Sequence, residues 1–509
     1  MINKTKPFLA SLVIGLLLSA TASASQLKPL MDWMNSLVDS GQVVGCMAQV
    51  THDGETIFLE AVGNRTPESD EALSTDQVIR IYSMSKAITS TAIMQLIEQG
   101  KIGLDDPVWK YIPEFRQMDV LVDGELVSAN RPVTIRDLLT HTSGLSYGFM
   151  APPEAAPYYV GKMRSANNLK EAGALMGGLP LLSQPGESFV YGLNTDVLGR
   201  VVEVASDESF GRYLKQNIFK PLGMNHTGFV PDEDLEEMHI VTPVDGELVL
   251  DENHYSGNDA IFKPRFESGG GGLWSTIGDY SRFCKAMINH GELDGTRILK
   301  PETVKFMTQN HLAPGVGGPG QRFGLGFGIQ RPVQTSKGPM GEGRWSWGGA
   351  ACTYFFIDPE LKITAVFATQ QFPFNMQMND KFHQMVLESV AQMDASSHSG
   401  TAAAADKPNK HILVINFKLK DLSRADYEAA CKQVASTFAG LPGLVSKKWL
   451  ANEDTNTYGG VYLWESKQAM LDYKNSEVFA ALGQNPAFVE LSVTDFEMLP
   501  GPSKVTRAE

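Results

Sequence analysis

Cysteine is scarce in this chain of 509 residues: there are four, Cys46, Cys284, Cys352 and Cys431, and no pair has C-x-x-C spacing. That scarcity argues against a metal cluster and against a disulfide-stapled scaffold. Four small buried thiols are expected, with no metal, no cofactor and no assigned pairing. Positive charge is short as well. Against 58 Asp and Glu stand 43 Lys and Arg, a net charge of −15, which repels nucleic acid and anionic lipid. The apolar stretch from Phe8 to Leu18 has 11 residues, whereas a membrane span needs about 20. It follows Lys4 and Lys6 and precedes Ala22-Ser23-Ala24, the arrangement of an export signal over residues 1–24, cut after Ala24. Cleavage removes both lysines and takes the net charge to −17. The residue directly after the cut is Ser25 rather than a cysteine, which argues against a lipid anchor. A periplasmic or secreted protein without stable membrane insertion is expected.

What is present is enough chain for two or more cores, with 43% hydrophobic and 20% charged residues. Residues 393–410 hold almost no large apolar side chain and read as a linker. It separates a large unit, 26–392, from a small one, 411–509. In the large unit Gly45 to Val50 and Thr56 to Val62 read as strands joined at Asp53-Gly54. A helix is predicted from Ser83 to Gln99, closed by Gly100. Its apolar positions, including Met84, Ile88, Ala92, Ile93 and Leu96, cover more than one stripe, so the helix is expected to be central. Strands follow at Thr353 to Ile357 and Ile363 to Ala368, an α+β arrangement. In the small unit, strand 411–417, a helix from Ser423, strand 459–464, a helix from Ser466 and the alternation at Val489, Leu491 and Val493 fit a ferredoxin-like β-α-β-β-α-β order.

Chemistry concentrates at Ser83-Met84-Ser85-Lys86. A serine hydroxyl attacks a carbonyl slowly unless a base is held beside it, and residues three apart on a helix share a face. Ser25-Gln26-Leu27-Lys28 has the same spacing but lies at the processing site. Three other segments join the first: His141-Thr142-Ser143-Gly144-Leu145, at the end of a helix beginning near Val133; Pro185 to Tyr191, before the helical Asp196 to Gly199; and Trp345-Ser346-Trp347-Gly348-Gly349-Ala350. With Leu104 to Val108 and the glycine-rich Ser268 to Thr276, they resemble the serine β-lactamase and penicillin-binding superfamily over residues 27–390. More narrowly, the chain resembles the family VIII carboxylesterases, which share the class C β-lactamase fold.

That resemblance implies an antiparallel sheet flanked by helices, with a helical subdomain. It implies Ser83 as nucleophile, Lys86 as base or proton shuttle, and Tyr191 as relay to the leaving group, with the amides of Ser83 and Ala350 as oxyanion hole. A helix N-terminus favours developing negative charge, and burial disfavours an ammonium. Penicillin-recognising members carry Tyr-x-Asn, where this chain has Tyr191-Gly192-Leu193 and then Asn194. They also carry Lys-Thr-Gly, where Trp347-Gly348-Gly349 stands here. Loss of that lysine favours neutral esters over anionic lactams, although Arg344 is close in sequence and could return some positive charge. Tyr147, Phe149, Trp345 and Trp347 are expected to line an aromatic acyl pocket. Gly144-Leu145-Ser146-Tyr147-Gly148 fits G-x-S-x-G but lacks the strand–turn–helix context of a nucleophile elbow. His141 reads as a structural hydrogen-bonding residue rather than a triad base.

Residues 411–500 resemble a family of small mono-oxygenase-like proteins with a dimeric ferredoxin-like α/β barrel, through Leu441 to Leu444, Lys448-Trp449 and Gly459 to Trp464. A dimerisation or accessory binding module is the preferred reading of this unit over a second enzyme, with a homodimer formed through it. For the whole, the expectation is an exported serine hydrolase acting on short-chain or aryl esters. The alternatives are a β-lactamase or D-amino-acid-specific peptidase, and a catalytically inactive penicillin-binding-like sensor. The partner is a small-molecule ester or lactam.

Overall fold

The computed structural model describes residues 27–251, 266–318, 320–331, 333–335, 338–340, 343–399, 410–439 and 441–498. The expected export signal and residues 400–409 of the expected linker lie outside the described residues. The chain divides into two compact units, Met1–Ser397 and His398–Glu509.

In the first unit, helix α1 (Lys28–Asp39) buries Leu30, Met34 and Leu37, spaced to form one stripe. Strands β1 (Gly45–His52) and β2 (Glu55–Gly63) pair antiparallel around Asp53 and Gly54, with φ of 50° and 85°. Asp-Gly tolerates both left-handed positions, as a two-residue hairpin turn requires. Strand β3 (Ile79–Arg80) leads into a 3₁₀ turn, Tyr82–Met84, and then helix α2 (Ser85–Glu98). Every residue of α2 from Ser85 to Leu96 is buried, so the helix is central, as its apolar pattern predicts.

Further along come α3 (Ile135–Leu139), α4 (Asn194–Ser206), β4 (Trp274–Ser275), α5 (Ile277–Ile288), β5 (Gly328–Ile329), β6 (Trp345–Gly349), β7 (Thr353–Asp358), β8 (Ile363–Ala368) and α6 (Met376–Ser399). The main sheet has the order β5-β6-β7-β8-β1-β2, antiparallel throughout. Strands β7 and β8 are buried along their whole length, because the sheet is covered on both faces. Alternation along the strands separates two cores. Tyr354 and Phe356 pack with α1 and α6, whereas Phe355 and Ile357 join the core that contains α2. Helix α6 carries residues 393–399, which the sequence reads as linker. That stretch has neither Gly nor Pro before Gly400, so the helix has no local reason to stop sooner.

The second unit has β9 (His411–Leu419), α7 (Arg424–Ala439), β10 (Leu444–Asn452), β11 (Thr457–Trp464), α8 (Lys467–Lys474), α9 (Glu477–Gln484) and β12 (Phe488–Glu497). The sheet order β10-β11-β9-β12 is that of a ferredoxin-like fold. Alternate residues of β9 are buried, as a strand with helices on one face should show. The helix expected from Ser466 is two helices, because Ser476 caps a new one by accepting from the Phe479 amide. No described helix is long and apolar enough to cross a membrane.

Candidate active site

Ser83 lies in the 3₁₀ turn ahead of α2, two residues short of the α-helix, where the sequence predicts the helix itself. Tyr82 before it has a φ of 44°, left-handed for a bulky residue, and turns the chain sharply from β3 into the helix. The Met84 amide closes the turn on the Ile81 carbonyl at 3.1 Å. Lys86, in the first turn of α2, is 1% exposed. Its Nζ donates to Ser83 Oγ at 3.2 Å, to the Tyr147 hydroxyl at 2.9 Å and to the Gly270 carbonyl at 2.6 Å.

The third contact explains the glycine-rich stretch. A Cβ on Gly270 would lie 2.4 Å from Asp196 Oδ2 and 2.7 Å from the Tyr147 hydroxyl. Only a residue without a side chain lets α2, α4 and the Tyr147 loop converge there. Asp196 is held beneath by Ser268 Oγ at 2.5 Å and the Gly270 amide at 3.1 Å. Burial raises its pKa, against the opposing pull of Lys86. The Tyr147 phenol is pushed well above its ordinary pKa by burial and then by Asp196 and Tyr191, so it stays protonated.

Tyr191 stands beside this group in a different manner. Lys86 Nζ lies 4.6 Å from its ring centroid, and its hydroxyl accepts from Trp347 Nε1 at 3.3 Å. Tyr147 and Tyr191 meet edge to face at 5.7 Å. The tyrosine oxygen hydrogen-bonded to the lysine is therefore that of Tyr147, the residue expected as pocket wall. A close approach makes this contact. A Cβ on Gly192 would lie 2.4 Å from the Leu145 carbonyl, so glycine lets the Tyr191 segment press on the Tyr147 loop. Asn194 ties the same segments together, with its Nδ2 at 3.0 Å from His141 Nδ1 and donating at 3.2 Å to the Val190 carbonyl.

His141 is buried, packed edge-on or tilted against Phe189, Tyr191 and Phe323. Burial and then the charge of Lys86 hold its pKa well below 6.5, so it is neutral in ordinary buffers. Ser146 is buried in a loop and donates to the Tyr147 carbonyl, with no strand before it.

Strand β6 forms the opposite wall. It packs against the Tyr82–Met84 turn, where a Cβ on Gly349 would lie 2.5 Å from the Ile81 carbonyl. Gly348 points to the other face, toward Asn379, and Ala350 follows the strand and packs near Tyr82. Trp347 meets Tyr191 at 5.4 Å and Phe323 at 5.2 Å between ring centroids. Trp345 is only 7% exposed and packs on Phe327 in the core. Phe149 is 83% exposed and stacks on Tyr147 at 5.2 Å, an apolar lip. Arg344 does not supply the cation its sequence position suggests. It is buried, its charge set against Tyr354, Asp358 and Asp380 on the α6 side of the sheet. An odd–even alternation separates it from Trp345 and Trp347.

Among the described residues no group of His, Cys, Asp and Glu comes together as a metal site. What remains is an alcohol at the head of a buried helix, an amine one turn on, and a phenol and carboxylate behind it.

These features define a serine-hydrolase site on an antiparallel sheet covered by helices. The chain belongs to the Beta-lactamase family, whose model matches residues 30–388. Residues 412–509 match the model described as "Putative mono-oxygenase ydhR". Protein Rv1367c of Mycobacterium tuberculosis is 30% identical over 357 residues, covering 67% of this chain and 89% of that protein. Esterase EstB of Burkholderia gladioli is 30% identical over 351 residues, covering 64% of this chain and 86% of its own. Among solved structures, "EstCE1, a hydrolase with promiscuous acyltransferase activity" is 27% identical with a TM-score of 0.62, covering 73% of this chain and 99% of that one.

Proposed function

We propose that the first unit is an esterase working through an acyl-enzyme on Ser83. The observation that carries this reading is the set of three contacts around Lys86. As an ammonium, Lys86 fills all three with donors. As a neutral amine it donates to Gly270 and Tyr147 and turns its lone pair to the Ser83 hydroxyl. Ser83 Oγ then bonds to the ester carbonyl carbon, its proton passes to Lys86, and the ester C–O bond breaks. The leaving alkoxide takes a proton relayed from Lys86 through a tyrosine. Water repeats the sequence in reverse and frees the acid. Ser83 and Ala350 are the proposed oxyanion donors, ahead of α2 and at the end of β6 respectively.

The wall at Trp347 supports a neutral substrate, of short-chain or aryl type. A carboxylated lactam or peptide terminus would meet an indole on β6, with Arg344 behind the sheet. Lactam or D-amino-acid peptide hydrolysis is therefore the second reading, and an inactive sensor the third. Acyl transfer to an alcohol in place of water is a further outcome of the same intermediate, in line with the promiscuous acyltransferase activity of EstCE1.

Purified protein offered p-nitrophenyl butyrate and a chromogenic cephalosporin tests this, with Ser83→Ala alongside. Ester turnover that vanishes in Ser83→Ala supports the esterase. Faster lactam turnover favours the second reading, and no turnover or fluorophosphonate labelling the third.

Export is proposed from residues 1–24, and the mass of the mature N-terminus tests it. A homodimer through the second unit is proposed from the helix-free face of its sheet, where Ile412, Val414 and Phe496 lie, the last 53% exposed. Light scattering at micromolar concentration decides it.

A further inference from the structure

Asp196 takes no proton in the acyl-enzyme steps, yet it is 3% exposed in the first turn of α4, directly behind Lys86 and Tyr147. Its Oδ1 accepts from two donors, Ser268 Oγ and the Gly270 amide. Its Oδ2 is buried and, among the described residues, has no donor aimed at it within hydrogen-bonding geometry. A buried acceptor left this way is costly. The Tyr147 hydroxyl has the complementary lack. Its oxygen accepts from Lys86 Nζ at 2.9 Å, and the proton it keeps has the Asp196 carboxylate beside it. Oδ2 and the hydroxyl stand 2.4 and 2.7 Å from the one point where a Cβ on Gly270 would lie. Glycine at 270 lets an unmet acceptor and a spare hydrogen face each other.

The direction of that hydrogen decides what Lys86 can do. A neutral amine has two hydrogens and one lone pair, and the Gly270 carbonyl can only accept. A Tyr147 hydrogen turned toward Lys86 would occupy the lone pair and leave Ser83 without a base. Turned toward Asp196, it leaves the Tyr147 oxygen as acceptor only. Both amine hydrogens are then used, and the lone pair is left for the Ser83 hydroxyl at 3.2 Å. Burial raises the pKa of Asp196, while Lys86, Ser268 and the Gly270 amide oppose it. The carboxylate is the form that accepts.

We propose that Asp196 is a positioning residue of the acyl-enzyme reaction, holding the Tyr147 hydrogen away from Lys86 and so aiming the amine lone pair at Ser83. The Tyr147 proton stays in place during attack. Only the Ser83 proton moves, to the Lys86 nitrogen, as Oγ bonds to the ester carbonyl carbon. The inference rests on the acyl-enzyme reading and adds to it the group that orients the base.

Asp196→Asn keeps the shape and replaces the acceptor with an amide. With its oxygen held by Ser268 and Gly270, its NH2 donates to the Tyr147 oxygen and drives the Tyr147 hydrogen onto Lys86. For the full chain on p-nitrophenyl butyrate, kcat should fall by roughly 100-fold or more, with little change in KM. Adding Tyr147→Phe to Asp196→Asn should return roughly tenfold of that loss, because phenylalanine has no hydrogen to misdirect. A carboxylate that merely supports the fold gives no such rescue. Ser268→Ala, which loosens the carboxylate without replacing it, decides the matter if Asp196→Asn does not fold. It should lose roughly threefold to tenfold in kcat, and only while Tyr147 is present. A folded Asp196→Asn with wild-type kcat, a double variant no faster than Asp196→Asn alone, or a Ser268→Ala loss that persists unchanged in Tyr147→Phe would overturn the inference and leave the esterase standing. Wild-type protein that turns over no ester would overturn the underlying reading too.

Discussion

Lys86 Nζ lies 2.9 Å from the Tyr147 hydroxyl, while Tyr191 presents its ring face to the same nitrogen at 4.6 Å. Two tyrosines thus serve one lysine differently. Tyr147→Phe removes a hydrogen bond to a charged or proton-carrying group, worth about 1.5–3 kcal/mol. The expected result is a 10- to 100-fold loss in kcat, roughly the conversion of that energy. If Tyr191 is the relay, Tyr191→Phe should lose roughly 10²- to 10⁴-fold. Steady-state kinetics on one ester, with both variants folded by circular dichroism, ranks them. An unchanged kcat in Tyr147→Phe would reduce that residue to packing.

Trp347→Lys places a cation on β6, where the indole now stands. The lactam-to-ester ratio of kcat/KM should rise at least tenfold, about 1.4 kcal/mol of differential transition-state binding. Arg344→Ala, acting on the far face of the sheet, should leave the ratio alone. Were Arg344→Ala the variant that moved it, the assignment of faces would be wrong.

Gly270→Ala tests convergence without removing a proton-carrying group. The added methyl collides with Asp196 and Tyr147. Overpacking of this kind costs about 1–3 kcal/mol, so thermal unfolding should drop and ester turnover should fall with it. Wild-type kinetics in this variant would mean that the three elements approach less closely than described.

Acid stability follows from two buried histidines. Burial first, then Arg344, holds His383 well below its ordinary 6.5, and burial with Lys86 does the same for His141. Both are neutral in the fold and charge on unfolding. Their contribution is therefore present above about pH 6.5 and is lost as pH falls toward their folded values. Tm should decline from pH 7 to pH 5, and His383→Leu should flatten the decline. An equally steep decline in the variant would place the acid sensitivity elsewhere.

Sheet strands β1, β2, β7 and β8, the buried character of α2, and the Ser83–Lys86 pairing are all visible in the chain itself. Each depends on residues near one another: an Asp-Gly turn, apolar runs of strand length, and a three-residue step along a helix. The ferredoxin-like order of the second unit is visible for the same reason, although β10, with charged residues at Lys447 and Lys448, lacks the alternation that marks a strand. Residues 393–399 mislead because a paucity of large apolar residues resembles a linker, whereas helix propagation needs only the absence of Gly and Pro.

The amino-acid order by itself determined which alcohol and which amine stand one turn apart, since a helical repeat is a local property. Only the tertiary structure decided that Tyr147, 61 residues from Lys86, bonds to it, that Asp196 lies behind both, and that Arg344 turns away. Those relations arise where loops from distant segments are pressed together through glycines such as Gly192 and Gly270, and no periodicity records what an absent side chain allows to approach.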